Sequence, residues 1–463
     1  MSDPVQAAVE KMREAGVSDD AIRSFASALT RVREGAETLL PSAELEPAPD
    51  VPALDELPDA DAEAALAELV VIKLNGGLAT SMGLQRPKSL IEARDGHSFL
   101  EIIIGQTLEL RRRHGVRLPL VLMDSASTRQ PTLAALAEHP EVALAAVPPD
   151  FLQSVVPKLD PDTLAPASWP AEPALEWNPP GHGDLYPSLR GSGILDALLE
   201  QGFRYAMIAN ADNLGATVDP RIPAYLARER IPFLMEVVQG TEADRKGGHL
   251  ARRRSDGQLV LRETAQTPPD DQQSFRDYLR WRWYNTNSLW FDLTALAERL
   301  ADDRGLELPV ILNRKTIDPR DPGSPAVLQL ESAMGAAIGS FPGARLLCVP
   351  RSRFVPVKTT DDLLLLRSDV YTLDDRFHLA LNTDPTHLDG RLPYVELDPS
   401  HYKLIDDFER RLPDGPPSLR EAERLVVHGD VTFGGGVVVR GAVTINALEP
   451  WVIEPGTVLE GAR

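Results

Sequence analysis

From Leu69 onward the chain alternates short apolar runs with stretches of helical spacing, and this alternation narrows its fold more than any other feature. Leu69 to Leu74 reads as a strand, Phe99 to Arg112 as a helix, Leu118 to Met123 as a strand, Thr132 to Glu138 as a helix and Val142 to Val147 as a strand. Runs without polar alternation are buried on both faces, so such strands separated by helices predict an α/β fold with a mostly parallel, helix-covered sheet. The pattern resumes with a helix at Ile194 to Gln201 and a strand at Tyr205 to Ala209, beyond a stretch rich in Pro and Gly from Pro157 to Pro187. A loop that long inside a compact domain is usually functional or disordered.

The flanks read differently. Val9, Met12, Ile22, Phe25, Leu29 and Val32 follow helical spacing, with Ser18 and Asp19 at a helix start, which predicts a small helical N-terminal segment closed by Pro41. Ser42 to Asp61 carries four prolines among acidic residues and reads as a solvated linker. From Leu425 to Gly461, β-branched pieces are punctuated by Gly about every six residues, as in hexapeptide β-helix coils. The predicted division is residues 1–60 as helical segment and linker, 61–375 as a catalytic domain, and 376–463 as a β-helix-like (solenoid) domain.

With 463 residues the chain has room for several domains and a large core. Its 69 acidic against 48 basic residues leave a formal charge of −21, which argues against nucleic acid as a partner and requires a locally basic pocket for any anionic ligand. Cys348 stands alone, so no disulfide framework or cysteine-based zinc site exists. No signal-like core and no long apolar window appear, so a soluble, cytoplasmic protein with no membrane partner is expected. Only eight of the basic residues are lysines; Lys246, Lys315 and Lys358 lie beside Gly, Asn or Thr as ligand-facing loops do, and with Lys73 and Lys88 five of the eight fall in the segments singled out for chemistry. In an arginine-writing chain that clustering points to a phosphate site.

Three segments carry the chemistry. Lys73-Leu74-Asn75-Gly76-Gly77 ends a strand in residues whose backbone N–H groups are open to a nucleotide, and Lys88 follows as a mobile charge for a triphosphate. Gly181-His182-Gly183 sets a histidine between glycines, where its ring can reach a substrate phosphate. Asn210-Ala211-Asp212 puts a carboxylate at the end of a strand, where open α/β sheets bind ligands; such an Asp commonly holds Mg²⁺ against phosphate oxygens, or else caps a helix or Asx turn.

Together with Pro87-Lys88-Ser89, Asn213-Leu214-Gly215-Ala216-Thr217-Val218-Asp219, Asn285-Thr286-Asn287, Leu330 to Ile338 and Pro356-Val357-Lys358-Thr359-Thr360, these segments resemble the eukaryotic-type UTP–glucose-1-phosphate uridylyltransferase family, in that family's order over about residues 65 to 370. The resemblance implies a Rossmann-like nucleotidyltransferase fold with a mixed sheet flanked by helices, UTP and a sugar 1-phosphate as substrates, and Mg²⁺ as cofactor. It assigns Leu74, Asn75, Gly76, Gly77, Gln153, Gly181 and Asn210 to the nucleotide, and Asp212 to the metal. It assigns Lys88, His182 and Lys358 to the phosphates, and Glu263, Asn285 and Asn287 to the hexose.

The family's reaction suits these residues, because the phosphate of glucose 1-phosphate is already a nucleophile and the barrier is repulsion between anions and in-line placement. Ala79 stands where the family loop has Gly, Asp124 where it has Asn, and Arg314 where it has Pro, which leaves nucleotide and sugar preference open. A UDP-N-acetylhexosamine or broad-specificity pyrophosphorylase is the second reading; its Gly-Gly-x-Gly-Thr-Arg loop is not matched by Gly77-Leu78-Ala79-Thr80-Ser81-Met82. A non-catalytic UDP-sugar sensor or scaffold, self-associating as a homo-oligomer through the C-terminal domain, is the third.

Overall fold

The computed structural model describes residues 3–35, 39–79, 82–84, 86–302, 306–382, 388 and 392–462. Thr80 and Ser81 of the glycine-rich loop lie outside the described residues. A ten-stranded mixed sheet forms the centre. In it Leu69–Leu74 lies parallel to Leu120–Asp124 on one side and to Tyr205–Asn210 on the other, and Asp150–Leu152 extends the parallel half. Val70 and Ile72 pack into one hydrophobic core and Leu69 and Val71 into another, so both faces are covered, as the apolar run requires.

The other half departs from the mostly parallel expectation. Trp283–Asp292 runs antiparallel to Tyr205–Asn210, to Phe233–Gln239 and to His249–Arg253, and His249–Arg253 pairs antiparallel with Leu259–Arg262. The strand read at Val142 to Val147 is also displaced: Pro140–Val142 is a 3-10 turn and the strand is Asp150–Leu152. Proline at 140 and the buried Asp150, paired with Arg129 at 2.7 Å, account for the shift.

Local chemistry sets the helices. Ser98 and Glu101 form a reciprocal cap on Phe99–His114, whose last turn is basic and whose chain leaves through Gly115 at φ 65°. Ser18 caps Asp19–Arg33, as its sequence position predicts. This helix and Pro4–Glu14 share an apolar cluster with Val156, Leu159, Val310 and Leu330, so the N-terminal segment packs on the catalytic body. The acidic, proline-rich stretch after it is not a solvated linker: Leu45–Pro47 pairs with His249–Arg253 at the sheet edge, and Leu45 is buried.

In the tail, Tyr394–Leu397, Ser418–His428, Val438–Asn446 and Val458–Ala462 form one parallel sheet, and Val431–Phe433 pairs in parallel with Trp451–Ile453. Two separate small sheets do not by themselves establish a β-helix. Among the described residues no helix is long and apolar enough to cross a membrane.

Candidate active site

Parallel pairing brings three strand ends to one level, since Leu74 faces Met123 and Asn210 in register. Beyond them the chain turns into Asn75-Gly76-Gly77, Asp124 and Asp212, at the carboxyl edge where α/β sheets bind ligands. Gly76 lies against Gln153: a Cβ on Gly76 would stand 2.6 Å from Gln153 Oε1, so the two residues are in close contact. Gly77 has open space beside it, and its carbonyl accepts from Lys88 N at 3.1 Å.

Asn75 behaves differently from a ligand-facing residue. Its amide Nδ2 donates to Asp124 Oδ1 (2.7 Å) and Thr132 Oγ1 (2.9 Å), and the side chain is buried. It braces the loop from beneath, and its backbone N–H is taken by Met123 O at 2.8 Å. Asp124 also accepts from Thr128 Oγ1 at 3.0 Å, while its Oδ2 is buried with no hydrogen-bond partner among the described residues. Burial pushes the Asp124 carboxyl up to about 6. Ala79 is fully buried within the core, so the loop accommodates its Cβ.

Lys88 links the phosphate side together. Its ammonium donates to Asp212 Oδ2 (2.8 Å) and to the Val357 carbonyl, and Val357 N donates to Asp212 O at 3.2 Å. The segment carrying Lys358 is thereby joined to the loop carrying Asp212. Lys358 itself is exposed, and its ammonium makes no hydrogen bond among the described residues. Asp212 Oδ1 is buried without a partner. Among the described residues no group of three or more metal-ligating side chains assembles, so a metal would rest on this one carboxylate and on substrate oxygens, the arrangement Mg²⁺ commonly takes.

The five-lysine cluster is only partly realised. Lys246 and Lys315 are exposed, Lys246 in a turn whose carbonyl accepts from Thr264 Oγ1 at 2.9 Å and Lys315 on a strand of the Ile311–Thr316 hairpin. Lys73 points under the cleft, fully buried, with its ammonium donating to Ala216 O at 2.8 Å. Burial, with Arg353 adding to it, pushes Lys73 down to about 7.

At the other end, Gly181 adopts φ 80° and leaves no room for a Cβ, which would stand 2.5 Å from Ser332 O. His182 Nδ1 accepts from Met334 N at 2.9 Å, which leaves Nε2 as the protonated nitrogen. Burial pushes His182 down to about 4, which favours the neutral ring. Asn285 Nδ2 donates to Asn287 Oδ1 (2.8 Å), and Asn287 takes the left-handed φ of 56° that asparagine tolerates. Asn285 N donates to Gly248 O at 3.0 Å, and Gly248 abuts the Glu263 carboxylate. Burial pushes the Glu263 carboxyl up and the Lys358 ammonium counters it, so the hexose-assigned residues adjoin the phosphate side.

A family profile described as UTP–glucose-1-phosphate uridylyltransferase matches residues 23–440. The chain belongs to that family. The barley (Hordeum vulgare) UTP–glucose-1-phosphate uridylyltransferase is 40% identical over 428 residues, covering 92% of this chain and 86% of the barley protein. The Saccharomyces cerevisiae enzyme of that name is 41% identical over 85% of this chain and 77% of its own. Among solved structures, a variant of the UDP-glucose pyrophosphorylase of Leishmania major in complex with UDP-glucose superposes with a TM-score of 0.93 at 44% identity, covering 100% of both chains. The Trypanosoma brucei UDP-glucose phosphorylase structure gives 0.90 at 41% identity over 100% of this chain and 99% of that one.

Within this uridylyltransferase site, motif reading passed over two buried groups. Glu236 is fully buried in the apolar strand Phe233–Gln239 and holds Arg353 in a bidentate pair, with Nη2 to Oε1 at 2.6 Å and Nε to Oε2 at 2.8 Å. A lone carboxylate inside an apolar run is the signal that marks it. Asn213, 2% exposed, was quoted in the family motif but assigned no task.

Proposed function

We infer that the chain transfers the uridylyl group of UTP to a sugar 1-phosphate, with glucose 1-phosphate giving UDP-glucose and pyrophosphate. The observation that carries this is the Lys88–Asp212–Val357 contact, which joins a lysine, a carboxylate with one free oxygen and the segment of a second lysine at the sheet's carboxyl edge. A phosphate oxygen of the sugar phosphate attacks the α-phosphorus of UTP, the bond from that phosphorus to the bridging oxygen breaks, and pyrophosphate departs with the electron pair. No general base is needed because the nucleophile is already ionised. Lys88 and Lys358 lower the repulsion between the two anions as they approach. His182 adds a neutral Nε2–H donor to the phosphates. Asp212 would hold Mg²⁺, which when bound neutralises charge on the phosphate oxygens.

Leu74, Asn75, Gly76, Gly77, Gln153, Gly181 and Asn210 are assigned to the uridine, with Asn75 acting by bracing the loop through Asp124 and Thr132, and Glu263, Asn285 and Asn287 to the hexose. Support for these roles is their continuity around the cleft through the Gly76–Gln153, Gly248–Glu263 and Asn285–Asn287 contacts. Residues 61–375 are proposed as the catalytic unit and 376–463 as a β-helix-like tail; partners such as Val438 and Val458, or Val431 and Trp451, stand one regular coil apart in its parallel ladders. Exposed Leu448 and Val452 on the tail support homo-oligomer formation through it. A cytoplasmic location accords with the single, unpaired Cys348.

A panel of sugar 1-phosphates mixed with UTP and Mg²⁺ tests the reading through its products. UDP-glucose is the expected main product. Formation of UDP-N-acetylhexosamine or of many UDP-sugars at similar rates would move the chain to the broad-specificity reading, and no pyrophosphate with any sugar would leave only the sensor.

A further inference from the structure

Resting on the catalytic reading of Lys358, we propose that Asn213 and the buried Arg353–Glu236 pair are the positioning device that fixes Lys358 against Asp212 for uridylyl transfer. The Asp212 loop and the 352–358 segment run antiparallel, with Asn213 opposite Pro356. Proline has no N–H, so the backbone cannot complete a ladder there. The Asn213 side chain replaces it: Oδ1 accepts from Val355 N at 2.9 Å and Nδ2 donates to Arg353 O at 3.2 Å. No other uncharged side chain of this length both donates and accepts in that geometry.

Below this splice the Arg353 guanidinium reaches both partners of the junction. It grips Glu236 bidentately and donates from Nη2 to Thr217 O at 2.8 Å, at the far end of the Asp212 loop. Glu236 sits where the register of its strand shifts between Met235 and Val237, and Trp290 Nε1 donates to its Oε1 at 2.8 Å. Bulges re-aim side chains in this way beside active sites. Gly215 closes the joint, since a Cβ there would stand 2.4 Å from Ser352 O. The Lys358 ammonium makes no hydrogen bond among the described residues; its backbone N–H donates to Asp362 Oδ2 at 2.7 Å, and the anchors above fix the segment that leads into it. A bidentate buried pair supplies direction as well as attraction, and small misplacements of reacting groups are costly to rate.

The test is a double-mutant cycle of Asn213→Ala and Lys358→Ala, reading kcat and the KM for UTP and for the sugar phosphate. The proposal expects Asn213→Ala to lower kcat roughly 10- to 100-fold, with KM for UTP changed less than about 3-fold. In the Lys358→Ala background the same substitution should cost less than about 2-fold, because the group it positions is gone. Equal losses in both backgrounds, or lost thermal stability with kcat intact, would overturn it. Arg353→Lys keeps the charge but loses the fork, and serves in the same cycle under the same criteria if Asn213→Ala does not fold. An unchanged kcat in Lys358→Ala alone would sink the catalytic reading of Lys358 itself, whereas a large loss there with additive Asn213→Ala would sink only the positioning role.

Discussion

Asp124 shows how one side chain can support a site at a cost to the fold. Its Oδ1 holds Asn75 beneath the nucleotide loop, while Oδ2 is buried and unpartnered. Its pKa is raised from 3.8 to about 6 by burial, so the folded chain binds this proton more tightly than the unfolded chain. Between those two values the native state carries the extra proton, and stability therefore falls as pH rises through about 4 to 6. Above that window the whole cost is in place. Asp124→Asn keeps an acceptor for Asn75 and removes the charge, so its thermal midpoint should exceed that of the parent at pH 8, by the equivalent of about 1 to 2 kcal/mol, with the advantage shrinking toward pH 4. A constant difference across that range, followed by thermal unfolding, would show that Asp124 does not titrate there. The sequence marked Asp124 as a departure near the nucleotide edge but not its burial, because nothing local to Met123-Asp124-Ser125 announces Thr132 and Asn75 as its partners.

At the scale of elements, the fully apolar strands and the well-capped helices were legible and the polar strands were not. Leu69–Leu74 and Tyr205–Asn210 are buried in all but their last residue, and Ser98 with Glu101 states where a helix begins. Leu45–Pro47 owes its strand form to His249–Arg253, far along the chain, which no local pattern encodes, whereas His249–Arg253 is also one arm of a hairpin with Leu259–Arg262. The tail depends on its turns. Gly429 sits at φ 94°, and a Cβ there would come within 2.1 Å of Ala447 O. Gly429→Ala should therefore destabilise the ladder between Ser418–His428 and Val438–Asn446 by more than the roughly 1 kcal/mol of strain alone, seen as faster proteolysis or hydrogen exchange of the tail amides. Unchanged exchange across residues 418–446 would show that the turn relaxes at no cost.

For the whole molecule, cores shared between regions matter more than the boundaries between them. The N-terminal helices bury Phe25 and Leu29 against Leu159 and Leu330, and tail residues such as Tyr402 and Val443 belong to the same continuous core as Val71 and Leu214. Gly83 of the nucleotide loop abuts Leu404 of the tail, so all regions bear on one cleft. The convergence of the Asn75, Asp124 and Asp212 segments at one sheet edge was legible because each lies in a contiguous motif at a strand end. What escaped was the support beneath it, Glu236 with Arg353 and the splice through Asn213, since partners more than 100 residues apart meet only in the fold. Uridylyl transfer is proposed to rest on Asp212 with Lys88 and Lys358. Its most direct test is pyrophosphate release from saturating UTP, Mg²⁺ and glucose 1-phosphate by the parent chain and by Asp212→Ala, alongside their UTP affinities. The account predicts brisk release by the parent and a loss of at least about 100-fold in Asp212→Ala, on the scale of removing one electrostatic transition-state contact. Release by Asp212→Ala at the parent's rate would contradict it.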